Sequence, residues 1–273
     1  MALNINTNVA SLTVQRHLAD TTDSLNKSLE RLSSGLRINS ASDDAAGLAI
    51  ADKLRADTSI AAQAVRNAND GLSALSIGEQ AIGQTGTILT RLGELASEAA
   101  SGLISNTQRS AIQDEFGALV SEINRISNVT TFNGVQLLSG GTTVSLQIGL
   151  DGTSNSRISF QTVDASSSGI GLSGISVSTS AAAQSALGAI TSAIATVAQR
   201  RGTLGAIESR LNTAISNLRV AGQNFSAAES RIRDVDVAQE TANLTRTTIL
   251  QQAGVAVLAQ ANQQPALALS LLR

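Results

Sequence analysis

The chain of 273 residues contains no cysteine, no tryptophan and no tyrosine, and only one proline and one histidine. Without cysteine it is not a disulfide scaffold, and the cysteine count leaves the compartment open. A lone histidine, His17, cannot build a His-based metal cluster. Four phenylalanines are the only aromatics, so a hydrophobic fraction of 42% must form an aliphatic, thin core of the helix-bundle kind. Pro265 is preceded by about 260 residues free of proline, which favours long helices. A net charge of −2 offers nucleic acid no basic field, and the missing aromatics offer it no stacking platform. No run of about 20 apolar residues is present to span a bilayer, so no membrane insertion is expected. Met1-Ala2-Leu3-Asn4-Ile5-Asn6 lacks the basic start and apolar block of a cleavable signal. His-Glu-x-x-His and Gly-x-x-x-x-Gly-Lys are absent, and a Ser-His-Asp site would depend on His17 alone. No enzyme and no cofactor are expected.

What the chain does have is a seven-residue apolar repeat in two places. Leu54, Ala61, Ala68, Leu75, Ile82, Leu89 and Ala96 form one line, and Ile190, Val197, Leu204, Leu211, Leu218, Phe225 and Ile232 the other. A strict heptad keeps one seam facing a partner helix. A second, looser line accompanies each: Thr58, Val65, Leu72, Glu79, Gly86 and Gly93 in the first, Leu187, Ile194, Arg201, Glu208, Ile215, Gly222 and Glu229 in the second. Both stretches cover about 43 residues, rods of roughly 65 Å, and they are expected to pair with each other. The expected bundle core is Leu54, Leu75, Ile82, Leu89, Ile190, Val197, Leu204, Leu211, Leu218 and Phe225.

In chain order, Leu18, Thr22, Leu25, Leu29, Leu32 and Leu36 define an amphipathic helix that ends near Gly35. Ser42 is placed to cap the next helix, with Asp43 and Asp44 in its first turn. Ser101-Gly102 and Ser105-Asn106-Thr107 predict a turn, followed by a helix bearing Ile112, Phe116, Leu119, Ile123 and Ile126. From about 128 to 180 Gly, Ser and Thr dominate and the period drops to two. Val144, Leu146 and Ile148, the Asp151-Gly152 turn, then Ile158 and Phe160 predict a β-hairpin, expected as a surface cap at the far end of the rod. Ser178-Thr179-Ser180 can cap the second long helix. A last helix carries Leu244, Ile249, Leu250, Ala253, Val257, Leu258 and Ala261, with Pro265 as its expected end or kink. The fold class is therefore mainly α, a long antiparallel coiled-coil bundle with a small β-hairpin region. Residues 1–43 with 234–273 form a terminal helical domain, and 44–233 the bundle.

Two terminal amphipathic helices are marginal alone. They gain stability by burying their apolar stripes, worth roughly 25 cal/mol per Å², on copies of themselves or on a partner. The expected self-assembly seam is Leu18, Leu25, Leu29, Leu32, Leu36, Leu250, Val257 and Leu258. Folding back as extra layers of a monomeric bundle is the other arrangement this pattern permits.

Met1-Ala2-Leu3-Asn4-Ile5-Asn6-Thr7-Asn8 and the run Leu29-Glu30-Arg31-Leu32-Ser33-Ser34-Gly35-Leu36-Arg37-Ile38-Asn39-Ser40-Ala41-Ser42-Asp43-Asp44-Ala45-Ala46-Gly47 resemble bacterial flagellins. So do Phe132-Asn133-Gly134-Val135, Ile249-Leu250-Gln251-Gln252-Ala253-Gly254, Ala259-Gln260-Ala261-Asn262-Gln263 and Leu269-Ser270-Leu271-Leu272-Arg273. The resemblance implies a secreted, extracellular filament subunit that polymerises into a helical tube for motility. It implies terminal helices forming an inner coiled-coil layer, and no outer variable domains, because only about 50 residues separate the helical regions. It also implies as partners the chain itself, an export chaperone at the C-terminal tail, and the filament cap and hook–filament junction proteins. The innate-immune flagellin receptor would be met at Arg91, Leu95 and Glu115, of which Arg91 and Leu95 lie off the seam at i and i+4, on one face. A hook–filament junction protein and a monomeric helical binding module are the alternatives.

Overall fold

The computed structural model describes residues 7–270. Met1–Asn6 and Leu271–Arg273, and the side chains of residues 264–270, lie outside that description. The elements run α1 (Val9–Ser34), α2 (Ala45–Ala100), α3 (Asn106–Val129), β1 (Thr131–Phe132), β2 (Val135–Gln136), β3 (Thr143–Gln147), β4 (Arg157–Gln161), α4 (Ser180–Arg233) and α5 (Val237–Ser270). The fold is mainly α, with two small antiparallel hairpins, β1–β2 and β3–β4. The chain divides into two compact units, Met1–Ala56 with Asn224–Arg273 and Asp57–Gln223. The divisions fall inside α2 and α4, not at the helix starts near residues 44 and 234.

In the unit of residues 57–223, α2 and α4 pack antiparallel. A Cβ on Gly86 would stand 3.9 Å from Val197, one on Gly93 3.8 Å from Ile190, and one on Gly222 4.0 Å from Ala61. The heptad lines therefore face each other as their spacing predicts. Ala61, Ala68, Leu75, Ile82, Leu89 and Ala96 of α2 and Ile190, Val197, Leu204 and Leu211 of α4 are all buried. The looser line proves to be complementary, because Arg201 pairs with Glu79 at 2.6 Å. Leu218, placed in the core by the repeat, is only half-buried. It stands one turn from the approach of Gly222 to Ala61, past the hairpin that covers Asn67 and Gly71, where only two helices shield the seam. Leu54 and Phe225 are also half-buried, and they belong to the other unit.

The turn after α2 is tightly fixed. Ser105 caps α3 through a reciprocal capping box with Gln108. The buried guanidinium of Arg109 donates to Ala99 O (2.8 Å), Ser101 O (3.1 Å) and Ile104 O (3.2 Å), which closes the carbonyl end of α2.

The β region does not cap the rod's far end. With 24 residues, α3 returns only part of the way along α2. The hairpins consequently begin midway and lie beside α2, where Leu146 sits directly on Gly71 and Asn67 donates to Gln147 O at 3.0 Å. In β4, Ile158 and Phe160 alternate inward and join the core with Leu137 and Leu138. Phe132-Asn133-Gly134-Val135 is itself a hairpin. Asn133 at φ 46° and Gly134 at φ 80° supply the two left-handed residues that a type I′ turn needs. The strand then climbs back along α3, held by Asn124 to Ser167 N (2.9 Å) and Gln113 to Val177 N (2.6 Å). Thr179 caps α4 through Ala182 N.

In the other unit, α1 ends on Gly35 in the left-handed conformation. Asp44, not Ser42, caps α2, accepting from Gly47 N at 2.9 Å. Asp43 lies before the helix and closes the preceding turn, accepting from the N–H groups of Asn39 and Ser40. Asp236 caps α5 through Ala238 N and Gln239 N. The α1–α2 and α4–α5 breaks are joined by an antiparallel bridge between Leu36 and Asp234, with Arg37 N to Arg233 O at 2.6 Å. Pro265 does not end α5, which continues to Ser270.

Candidate self-assembly surface

Helices α1 and α5 pack side by side. From α1 the seam takes Ser11, Val14, Leu18, Thr21, Leu25, Ser28 and Leu32, and from α5 Glu240, Leu244, Thr247, Gln251, Gly254, Leu258 and Ala261. These positions repeat at 4-3-4-3 or a similar spacing, as two helices wound together require. Gly254 lets the backbone approach, since a Cβ there would stand 3.3 Å from Leu18.

The seam is unusually polar. Ser28 Oγ donates to the buried Glu240 carboxylate at 2.5 Å, Ser11 Oγ to Asn262 Oδ1 at 2.8 Å, and Asn8 Nδ2 to Ala261 O at 2.8 Å. Beyond the leucines of the seam, further large apolar side chains are left outside: Val9, Leu12 and Leu29 on α1, and Ile249, Leu250, Val255 and Val257 on α5. Leu250 and Val257 are each 52% exposed. Apolar side chains thus surround α5 on more than one side, a pattern proper to a helix buried all round.

The expected seam therefore splits in two. Leu18, Leu25, Leu32, Leu36 and Leu258 are half-buried, whereas Leu29, Leu250 and Val257 face solvent. Val9, Leu12 and Val255 escaped the sequence reading. They stand off the heptad, and only the burial of their neighbours makes them visible.

At the α1–α2 junction, backbone N–H groups of Ser40 and then Asn39 hold the Asp43 carboxyl below its usual range, with help from the Ser40 hydroxyl and Arg31.

On α2, Arg91 and Glu115 are brought together, with Arg91 Nη2 2.8 Å from Glu115 Oε1 and Arg91 Nη1 2.9 Å from Glu94. Both carboxylates, Glu94 first, raise the Arg91 pKa. Arg91 and Glu115 have side chains 50% and 48% exposed. Leu95 is not available to a partner as the i, i+4 spacing implied, for it is 2% exposed. Here α3 and α4 both cover α2, so the buried arc widens beyond one seam and takes in Leu92, Leu95, Ala96 and Ala99.

Among the described residues no group of three His, Cys, Asp or Glu side chains is arranged to hold a metal ion. By length and composition α4 includes a stretch apolar enough to cross a membrane. Its Ala183, Ala186, Ile190, Ala193 and Val197 line the bundle core.

A helical-bundle subunit bearing a terminal helix pair with unspent apolar surface is a structural, assembling protein. The N-terminal helical region of bacterial flagellin matches residues 5–143, and the C-terminal helical region residues 187–272. A flagellin of Halalkalibacterium halodurans is 43% identical over 270 residues, covering 98% of this chain and 99% of that protein. A flagellin of Bacillus subtilis is 39% identical over 304 residues, covering 99% and 100%. Among solved structures, a putative flagellar hook-associated protein from Vibrio parahaemolyticus shares the fold at a TM-score of 0.59 and 15% identity, over 70% of this chain and all of that one. The chain belongs to the bacterial flagellin family. It is a structural subunit of the bacterial flagellar filament and not an enzyme.

Proposed function

We propose that polymerisation runs through the outward apolar faces of α1 and α5, which pack as the inner coiled-coil layer of the filament. The observation that carries this is α5 itself. Its Ile249, Leu250, Val255 and Val257 remain exposed after α1 has covered the opposite side. Burying such side chains is worth about 1.5–3 kcal/mol each. Copies of the same pair supply the missing cover, and the polar seam between α1 and α5 keeps the two helices in register while they do so.

The same reading places the filament outside the cell, growing under a cap and starting at the hook–filament junction protein. An export chaperone shields the C-terminal tail before assembly, because α5 presents its apolar surface to water in a lone subunit. Arg91 and Glu115 form the part of the α2–α3 face that the innate-immune receptor would read, and Leu95 supports it from within. Hydrogen exchange on free subunits and on filaments tests the polymerisation surface. Amides of α1 and α5 gain protection on assembly, while those of Leu89 and Ile190 in the bundle core change little. Equal exchange of α1 and α5 in the two states would overturn it.

A further inference from the structure

Among the described residues of the 57–223 unit, five glycines stand inside helices where no packing calls for them. They are Gly83 of α2, Gly117 of α3, and Gly188, Gly202 and Gly205 of α4. A Cβ built on any of the five meets no atom within 4 Å outside its own stretch of helix. Gly71 is the contrast, because Leu146 already occupies the place its Cβ would take. In a helix interior glycine favours the unfolded chain, which regains more backbone freedom from it than from alanine. Each of the five therefore lowers stability while costing the fold no contact.

Three of them carry a second weakening. Thr87 Oγ1 donates to Gly83 O at 3.4 Å, Ser121 Oγ to Gly117 O at 2.9 Å, and Ser192 Oγ to Gly188 O at 3.0 Å. A hydroxyl bonded back to the carbonyl four residues earlier slightly destabilises its helix. The five sites also share a level of the bundle. Glu115, two residues before Gly117, pairs with Arg91 at 2.8 Å, and Arg201, next to Gly202, pairs with Glu79 at 2.6 Å. Ile190, two residues after Gly188, faces Gly93. All five thus lie alongside residues 79–93 of α2. The side chains there form a closed core, with Ile82, Leu89, Phe116, Ile190 and Val197 all buried. A well-filled core is carried on backbone of low helix propensity.

We infer that these glycines hold the stability of the bundle down, so that the subunit is readily unfolded for its passage out of the cell. The inference rests on the reading of the chain as a filament subunit that assembles outside the cell. Such a chain crosses a membrane on its way, and a long antiparallel helix pair passes a narrow channel only once it is undone. The core cannot supply the weakness, because a trimmed core side chain leaves a cavity in the assembled subunit as well. An open helix glycine lowers stability and leaves every contact in place. Once the copies are joined, binding between them adds stability by mass action, so the lone bundle is where weakness is tolerated.

The test is one variant with Gly83→Ala, Gly117→Ala, Gly188→Ala, Gly202→Ala and Gly205→Ala together. The urea midpoint of the purified chain should rise by about 1 M or more, and growth on filament seeds should be unchanged. In a flagellated host deprived of its own flagellin, the variant should reach the medium several-fold more slowly than the wild-type chain at equal synthesis. Adding Leu89→Ala, which opens a cavity in the core and lowers stability again, should restore the rate. An unchanged urea midpoint would overturn the inference, and so would a raised one with wild-type secretion. Slow secretion that Leu89→Ala does not restore would overturn it too. A variant that fails to grow on seeds would show that the glycines make room for neighbouring copies instead. Each of these results leaves the filament reading intact. A wild-type chain that neither leaves the cell nor grows on seeds would overturn both.

Discussion

Ser28 and Glu240 meet inside the α1–α5 pair, the hydroxyl donating to the carboxylate at 2.5 Å. A pair that kept all its apolar residues inside would leave no such surface for a partner. This one places hydroxyls and a carboxylate between its helices and leaves Leu29, Leu250 and Val257 outside. The buried polar contact specifies one register for the two helices, and the exposed apolar faces are the surface proposed for contact with other copies.

Ser28→Ala removes the donor and strands a buried carboxylate. The expected loss is about 1–3 kcal/mol in the stability of the terminal pair. Urea denaturation followed through a probe placed on α1 measures it. Replacing both partners, Ser28→Ala with Glu240→Leu, should recover much of the loss, because the seam then holds no carboxylate to strand. A double variant no better than the single would contradict the register role.

Acid should loosen the turn before α2. The folded-state pKa of Asp43 lies below its ordinary value of 3.8 because Ser40 and Asn39 N–H groups donate to the carboxylate. A lowered folded pKa stabilises fully above the unfolded value, and that contribution is lost as pH falls through the lowered one. The turn is therefore intact at neutral pH and opens only below 3.8. Carboxyl-carbon NMR of Asp43 should show a midpoint below that value, and a midpoint at or above it would contradict the hydrogen-bonded turn.

The receptor assignment separates by burial. Arg91→Ala and Glu115→Ala should leave the fold intact, since a half-exposed ion pair contributes about 0–1 kcal/mol, while reducing signalling in a receptor assay. Leu95→Ala removes a core side chain and should cost about 2–5 kcal/mol in stability. Unchanged signalling by the first two variants would remove the assignment.

Much of this arrangement is legible in the heptads. The lines through Leu75, Ile82 and Leu89 and through Ile190, Val197 and Leu204 specify the antiparallel pair without further information. Leu95 was not legible, because a repeat marks one seam, and a third helix widens the buried arc. The hairpin's mid-rod position follows from the length of α3, 24 residues against the 56 of α2, which fixes how far the chain returns. Asp44 and Ser42 are both competent caps by type, and the backbone entering Ala45 decides between them. For the assembly surface, the leucine pattern of α1 identified the helix but not which side its partner covers. Val9 and Leu12 emerge only once α5 is seen to occupy the seam of Ser11 and Leu18.

The central claim is that the outer face of the α1–α5 pair drives polymerisation, and seeded sedimentation with electron microscopy of the pellet tests it most directly. The wild-type chain should pellet as long, uniform filaments. Leu250→Asp, at an exposed position, should stay in the supernatant with an unchanged circular dichroism spectrum, whereas Leu25→Asp should also weaken the terminal pair. Filaments of wild-type yield and length from Leu250→Asp and Val257→Asp would contradict the account.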